Sequence, residues 1–481
     1  MVNKTIVNII YNNIFILSGI LFPVLTFPYV TRILGPEPLG VVNLALSIST
    51  IFVMLMQVGI PVYGIKAMSK VRLLEEKRKV FWTLIYINII TGLVSSAIYC
   101  VFVIHFGYFD SEPILYMLIV PSLLLGFTSV DWYFASNEDF KSIAIRTLVL
   151  RLFSLIFLFS FVNASGDYKI YAGIIIYGGL ISNAILFLMA WRNVGFRIPN
   201  IKIIDIKKHV HPLKYLLLTS VVASLYGSFD MLLIEKYWGA EYVGYYSIDR
   251  RLTLIIIALI GSFSLVLIPK MTRSIESGYE SKFKSLFSES IFFLYVLNLP
   301  VIFFVYIYSE EVILAFAGEG FLSSIDVLKV LSLQILFNSA SNLLNVQVLM
   351  PLSQERVIFN SSAFGLLVNV VLGFLLIPSF NIIGAAIALV CSEFVVFSIR
   401  LRVAIKCIGL NYNIGYIKAT IFSVGLFVIF EFIQKTVLIE SFYLRFIFLL
   451  LFVSVSSMVY IYALYCKVIN DFIGFKIKRH R

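Results

Sequence analysis

Fourteen apolar stretches run through the chain, at 8–30, 39–59, 80–105, 113–134, 143–163, 169–191, 214–236, 242–268, 284–308, 322–350, 357–377, 381–405, 413–434 and 442–466. Each approaches or exceeds the roughly 20 residues that carry a helix across about 30 Å of hydrocarbon. Closed barrels also span lipid, but they show short alternating segments rather than runs of this length. The pattern therefore predicts an all-α integral membrane protein with 14 transmembrane helices. Composition agrees: of 481 residues, 60% are hydrophobic and only 13% charged, where a soluble domain carries about 25% charged residues. The first stretch is too long for a signal peptide and no small-residue cleavage site follows it, so it reads as a retained anchor.

The basic residues sort by gap. With the N-terminus placed in the cytoplasm, the outer segments hold only Arg32, Lys169, Lys236, Lys435 and Arg445, and five more lie inside spans: Arg151, Arg250, Arg251, Lys329 and Lys418. The other 28 of the 38 Lys and Arg fall in inner segments. This bias predicts both termini in the cytoplasm. It also accounts for the net charge of +12 without a nucleic-acid-binding role, since no single basic domain exists. Cys100, Cys391, Cys407 and Cys466 are scattered without paired spacing and read as small apolar fillers. His209 and His211 lie in a basic inner loop with no further ligand to complete a metal site. No metal, cofactor or catalytic constellation is expected. The inner segment 65–79 mixes Met68, Val71, Leu73 and Leu74 with basic residues, which fits either a solvated loop or an amphipathic helix on the inner leaflet.

An internal repeat is legible. Leu34-Gly35-Pro36-Glu37-Pro38-Leu39-Gly40-Val41 matches Trp238-Gly239-Ala240-Glu241-Tyr242-Val243-Gly244-Tyr245, 204 residues later, as Gly-x-Glu-x-x-Gly. The glycines suit a tight turn and the Glu suits the start of the following helix. A weaker echo pairs Ser136-Asn137-Glu138-Asp139-Phe140-Lys141 with Leu352-Ser353-Gln354-Glu355-Arg356. Both echoes link a span to the one six further on, which predicts two parallel six-helix bundles with a substrate site between them. The expected organisation is an N-terminal lobe over 1–191, a cytoplasmic linker over 192–213, a C-terminal lobe over 214–406, and two extra helices with a basic tail over 407–481.

Polar stripes mark the faces that turn away from lipid. The second span carries Asn43, Ser47, Thr50 and Gln57 on one side, and the seventh carries Ser220, Ser224 and Ser228. Hydrogen bonding between helices is the simpler account of the serines. The tenth span is the most polar, with Gln334, Asn338, Ser341, Asn342 and Asn345, and such an amide-rich wall suits sugar hydroxyls. Ionisable groups inside spans are functional candidates by default. They are Asp131, Arg151, Asp230, Asp249, Arg250, Arg251, Asp326, Lys329, Glu393, Lys418 and Glu431. Asp131, Asp230, Asp326 and Glu431 sit near span ends and suit the interface equally well. Asp326 and Lys329, three apart, suit a local pair. Arginines without a matching excess of acid suit an anion such as phosphate, which the guanidinium binds bidentately. Pro23 and Pro28 in the first span, Pro121 in the fourth and Pro300 in the ninth mark points of bending.

The motifs resemble a known family. Phe27-Pro28-Tyr29-Val30-Thr31-Arg32-Ile33-Leu34-Gly35, followed by Leu39-Gly40, resembles the opening of the Wzx polysaccharide flippases, in the superfamily that also holds MATE drug exporters and lipid II flippases. So do Gly59-Ile60-Pro61-Val62-Tyr63-Gly64 and Asp131-Trp132-Tyr133-Phe134. Gly244-Tyr245-Tyr246-Ser247-Ile248-Asp249-Arg250-Arg251-Leu252, closed by Leu267-Ile268-Pro269, is similar to the eighth helix of lipid II flippases. The resemblance implies a V-shaped, two-lobed, MATE-like bundle. It implies a flippase that moves an undecaprenyl-diphosphate-linked oligosaccharide to the outer leaflet of the bacterial plasma membrane for O-antigen or capsule, driven by an ion gradient. A polysaccharide polymerase and a chain-length regulator are the protein partners such a role implies. Arg250 then carries the Asp-Arg motif and Arg32 the opening motif. Arg251, Arg151, Lys329 and Lys418 rest on the charge argument as diphosphate binders, Asn338, Asn342 and Asn345 as sugar binders, and Asp249, Glu393 and Asp131 as the groups for ion coupling. A lipid II flippase and a MATE-type exporter of cationic drugs are the alternatives, the second disfavoured because a cation binder would want acids to dominate and the central spans hold Arg at least as often as Asp or Glu. A membrane enzyme would want a sizeable outer loop with catalytic groups, and the sequence offers none.

Overall fold

A computed structural model describes residues 2–276, 280–408 and 425. The described chain is almost entirely helical: α1 (Val2–Leu34), α2 (Pro36–Gln57), α3 (Ile60–Ser69), α4 (Leu74–His105), α5 (Tyr108–Ser111), α6 (Pro113–Leu124), α7 (Asp131–Ser136), α8 (Phe140–Phe161), α9 (Tyr168–Val194), α10 (Ile203–Trp238), α11 (Ala240–Glu276), α12 (Glu280–Ile307), α13 (Ser309–Phe316), α14 (Ile325–Leu344) and α15 (Glu355–Ile408). Among the described residues, eight helices are long and apolar enough to cross a membrane, or ten when two bent pairs each count as one span. The predicted stretches 413–434 and 442–466 lie outside the described residues.

The breaks have local causes. α1 passes through Pro23 and Pro28 without interruption. The fourth predicted span is bent by 48° between α6 and the segment ending at α7, and the ninth by 82° between α12 and α13. These breaks fall after Pro121 and Pro300, not at them, since each proline sits inside its helix. α15 covers both predicted spans at 357–377 and 381–405, and its break is Asn381, at φ 48° and ψ −135°, three residues after Pro378. α10 begins at Ile203, ahead of the predicted 214, so the inner gap before it is half helix.

The chain divides into two units. One comprises 1–248, 314–324 and 362–388, the other 249–313, 325–361 and 389–481. The first has a core of Phe81, Trp82, Trp132, Phe134, Leu186 and Leu213, packed around α3, α4 and α9. Phe81, Trp132 and Tyr133 meet there at ring distances of 5.4–5.7 Å, a spacing that favours edge and tilted contacts. The second has a core of Met271, Phe283, Phe287, Leu343, Val348 and Ala404.

The sequence repeat has a physical counterpart inside the first unit. Gly35 and Gly239 both lie at positive φ, 75° and 90°, and each turns one helix into the next within a single residue. A Cβ on Gly40 would sit 1.8 Å from the Ala240 carbonyl oxygen, and one on Gly244 would sit 2.0 Å from that of Pro36. The two contacts exchange under the 204-residue shift. Only glycine lets the first turns of α2 and α11 touch backbone to backbone. One turn further on, Asn43 Nδ2 donates to Ser247 Oγ at 2.7 Å, again a pair of equivalent positions. The weaker echo also has matching geometry. Glu138 and Ser353 both adopt left-handed backbone, at φ 58° and 54°. The next amide in each case, Asp139 and Gln354, reaches back five residues to a helix carbonyl, at 2.9 and 2.8 Å. This is the arrangement that closes a helix C-terminus.

Candidate functional site

The candidate residues fall into two sets. Arg32, Arg151 and Asp131 belong to the first unit; Asp249, Arg250, Arg251, Lys329, Asn338, Asn342, Asn345 and Glu393 belong to the second. Lys418 lies outside the described residues.

In the second unit the polar face of α14 meets α15. Asn338 Nδ2 donates to Glu393 Oε1 at 2.8 Å. One turn on, Arg400 donates through Nη1 to Ser341 Oγ at 2.9 Å and through Nε to Ser361 Oγ at 3.0 Å. Glu393 and Arg400 are both buried, so two ionisable side chains are held by amides and hydroxyls along one seam. The seam is not fully satisfied. Gln334 Oε1 and Asn345 Oδ1 are buried without a hydrogen-bond partner among the described residues. A buried orphan acceptor costs about 1–3 kcal/mol, and a donor-rich ligand would remove that cost. Asn345 also opens a π-helical turn over Asn345–Leu349, a feature that recurs at functional sites. Asn342 approaches Gly261, where an added Cβ would lie 3.4 Å from its amide nitrogen.

Asp249 and Arg250 are both buried on α11, with Asp249 fully so, and Arg251 is half-buried. A carboxylate and a guanidinium are thus buried side by side in sequence just ahead of the largely apolar run 252–260 of α11. Lys329 pairs with Asp326 at 3.0 Å on the outside of α14, the local pair that their spacing predicts.

In the first unit each candidate has a protein partner. Arg151, on α8, donates to the Ser18 hydroxyl and, at 3.4 Å, to the Phe15 carbonyl of α1, and its guanidinium lies 5.9 Å from the Phe15 ring centroid. Asp131 is bridged to Arg146 at 3.0 Å. Arg32 donates to the carbonyls of Leu314 and Ala315 at 3.0 and 2.7 Å, and to its own Pro28 carbonyl at 2.8 Å. It therefore caps the last turn of α13, as cations do at helix C-termini.

Two buried groups carry less weight in the sequence reading than their surroundings give them. Asp230 is fully buried and accepts from Tyr246 Oη at 2.8 Å and Asn369 Nδ2 at 2.7 Å. Its position near the predicted end of the seventh span disguised it; α10 runs on to Trp238, so Asp230 is two turns inside. Arg400 was counted with the inner topology charges, although it lies within the predicted span 381–405, and that position was the available signal. The serines divide: Ser47 bonds between helices, as the simpler account expects, whereas Ser224 bonds within its own helix. Ser224 bonds to the Val221 carbonyl of its own helix at 3.0 Å, and Ser47 to Met231 Sδ at 2.9 Å. In the short link between α4 and α6, Tyr108 donates to Glu235 Oε2 at 3.1 Å. Burial, and then the Glu235 carboxylate, push the Tyr108 hydroxyl up from its ordinary pKa, so it stays a donor.

This geometry, a chain of long apolar helices that hold ionisable groups within them, is that of a multi-pass membrane protein. The chain belongs to the polysaccharide biosynthesis protein family, whose model matches residues 6–275. It is 22% identical over 400 residues to a protein of Escherichia coli (strain K12) named "Putative O-antigen transporter", covering 82% of this chain and 95% of the relative. A Shigella dysenteriae protein of the same name is 21% identical over 392 residues, covering 80% and 96%. Among solved structures, the lipid II flippase MurJ in an inward closed conformation superposes with a TM-score of 0.74 at 15% identity, covering 96% of this chain and all of that one. An inward-facing multidrug resistance MATE family transporter of the MOP superfamily gives 0.63 at 13% identity, covering 81% and 94%. At these identities the structural likeness establishes the fold alone.

Proposed function

We propose that this protein is a flippase of the bacterial plasma membrane. It moves undecaprenyl-diphosphate-linked oligosaccharide units from the cytoplasmic to the outer leaflet for O-antigen or capsule synthesis. Both termini face the cytoplasm in this reading, and the transport unit is the pair of repeat lobes at 1–191 and 214–406, followed by two further helices. The observation that carries the reading is the buried Asp249-Arg250 pair on α11, in a chain of the polysaccharide biosynthesis family. A guanidinium in a low-dielectric site is a strong partner for a diphosphate. Arg251, Arg151, Arg32, Lys329 and Lys418 are the further cations proposed for the path. The orphan oxygen of Asn345, with Asn338 and Asn342, offers amide chemistry for sugar hydroxyls. The acids Asp249, Glu393 and Asp131 are proposed for coupling to an ion gradient. Asp230 joins them, because a fully buried carboxylate held by a tyrosine and an amide is poised to exchange a proton or cation. The flipped units feed a polysaccharide polymerase and its chain-length regulator.

The test is Arg250→Ala in the native host. Surface polysaccharide is expected to disappear while the protein still reaches the membrane; normal polymer would remove Arg250 from the mechanism. Deleting the gene separates the alternatives. Loss of surface polymer supports the proposal. Intact polymer with raised sensitivity to cationic drugs points to a MATE-type exporter. Lysis with accumulated lipid II points to a lipid II flippase.

A further inference from the structure

The basic residues of the predicted inner side divide into two kinds. Lys77, Arg78 and Lys79 are consecutive, and each holds a different element. Lys77 Nζ donates to Asn137 Oδ1 at 3.0 Å, Arg78 Nε to the Val194 carbonyl at 2.9 Å, and Lys79 pairs with Asp205 at 2.8 Å. Together with a 2.8 Å contact between Tyr63 Oη and His209 Nδ1, they tie the end of α9, the link at 195–202 and the first turns of α10 to α3 and α4. Ile201, Ile206 and Tyr63 pack on the same core beneath. The result is one continuous surface built from two separate stretches of chain.

That surface carries the second kind. Lys66, Lys70, Arg72, Arg197 and Lys202 are exposed, and none has an ionic partner among the described residues. Interleaved with them are large apolar side chains that a water-facing surface would not show: Leu73, Leu74, Phe196 at 70% exposure, Ile203 at 74% and Ile204. The acids on this surface, Glu75 and Glu76, are fewer than the unpaired cations. Exposed apolar groups beside unpaired Lys and Arg, at the ends of membrane-crossing helices, match the boundary where acyl chains meet headgroups.

We propose that this surface is a binding site for anionic phospholipid of the inner leaflet. Leu73, Leu74, Phe196 and Ile203 enter the acyl boundary, and Lys66, Lys70, Arg72, Arg197 and Lys202 hold the headgroup phosphates. The site is separate from the transport path and independent of which substrate is moved. Anionic lipid bound there fixes the link at 195–202 against α3 and α4.

The experiment uses the full chain, purified in detergent and titrated with phosphatidylglycerol or phosphatidylcholine, with retained lipid counted by native mass spectrometry. Wild type is expected to retain phosphatidylglycerol over phosphatidylcholine, with the preference falling as salt rises. The variant K66Q/K70Q/R72Q/R197Q/K202Q is expected to lose at least about tenfold of that preference, since each basic residue near an anionic surface contributes about a fivefold effect. A control with Lys236→Gln, on the opposite side, is expected to keep it. An unchanged melting temperature of the five-site variant without lipid shows that it is folded. Equal retention of both lipids by wild type, or an undiminished preference in a folded five-site variant, overturns the proposal. So does a lipid-blind surface that instead binds a soluble acidic protein.

Discussion

The crossing of α2 with α11 and the seam of α14 with α15 bring helices together by opposite means. At the crossing, Gly40 and Gly244 bring backbone against backbone, with no room for a single Cβ. One neutral side-chain bond, Asn43 to Ser247, follows a turn further on. At the seam, contact is made by Asn338, Ser341, Ser361, Glu393 and Arg400, and two amide oxygens nearby are left without partners. A backbone crossing is dry and has one geometry. A seam of amides and hydroxyls has donors and acceptors that can trade partners, so it can accept a polar ligand. Rigidity and receptivity are thus built from different residue types.

That contrast can be broken at four points. The largest effect is expected at Gly40→Val. Its branched side chain has nowhere to go beside the Ala240 carbonyl, so stability should fall by about 3 kcal/mol or more, seen as a collapse of the melting temperature in detergent. If the variant melts like wild type, the crossing is not rigid. Arg400→Ala comes next, at about 2 kcal/mol, because it strips two hydroxyls of their donor and empties a packed volume. An unchanged melting temperature would mean that the seam serves ligand rather than fold. Asn43→Ala should cost about 1 kcal/mol, the worth of one buried neutral hydrogen bond, and Ser247→Ala should add little on top of it in a double-mutant cycle. Lys329→Ala should change stability by less than about 0.5 kcal/mol, since its partner Asp326 is well exposed and surface pairs contribute little. A fall of a kilocalorie or more would give that pair a structural role its exposure argues against.

Much of the fold was legible because lipid leaves the chain few choices. Every backbone polar group must be satisfied within its own segment, so apolar runs of helical length have one outcome. The first twelve predicted stretches all fall on helices. The glycine motif was also legible as a repeat, because tight turns demand the same residue wherever they recur. What the residues at the breaks would do was less so. Proline marked the fourth span but not its break point, and α1 and α12 run through their prolines without interruption.

The sequence offers candidate residues for the site but not their pairing. Depth in a span is a one-dimensional measure, and it ranked Glu393 and Arg151 well because both are central and both are held by polar partners. It ranked Asp230 poorly, because it could not see Tyr246 and Asn369 arrive from other helices. Arg32 entered through the opening motif and not through depth, and its bonds to the end of α13 were equally out of reach of a one-dimensional measure.

The sequence by itself determined that this chain is a multi-pass helical membrane protein with an internal repeat, since hydropathy and glycine spacing act locally and need no partner. Only the tertiary structure decided which polar groups meet. A carboxylate or guanidinium inside a span needs partners, and those partners sit on helices up to 283 residues away along the chain, at distances that no local pattern encodes.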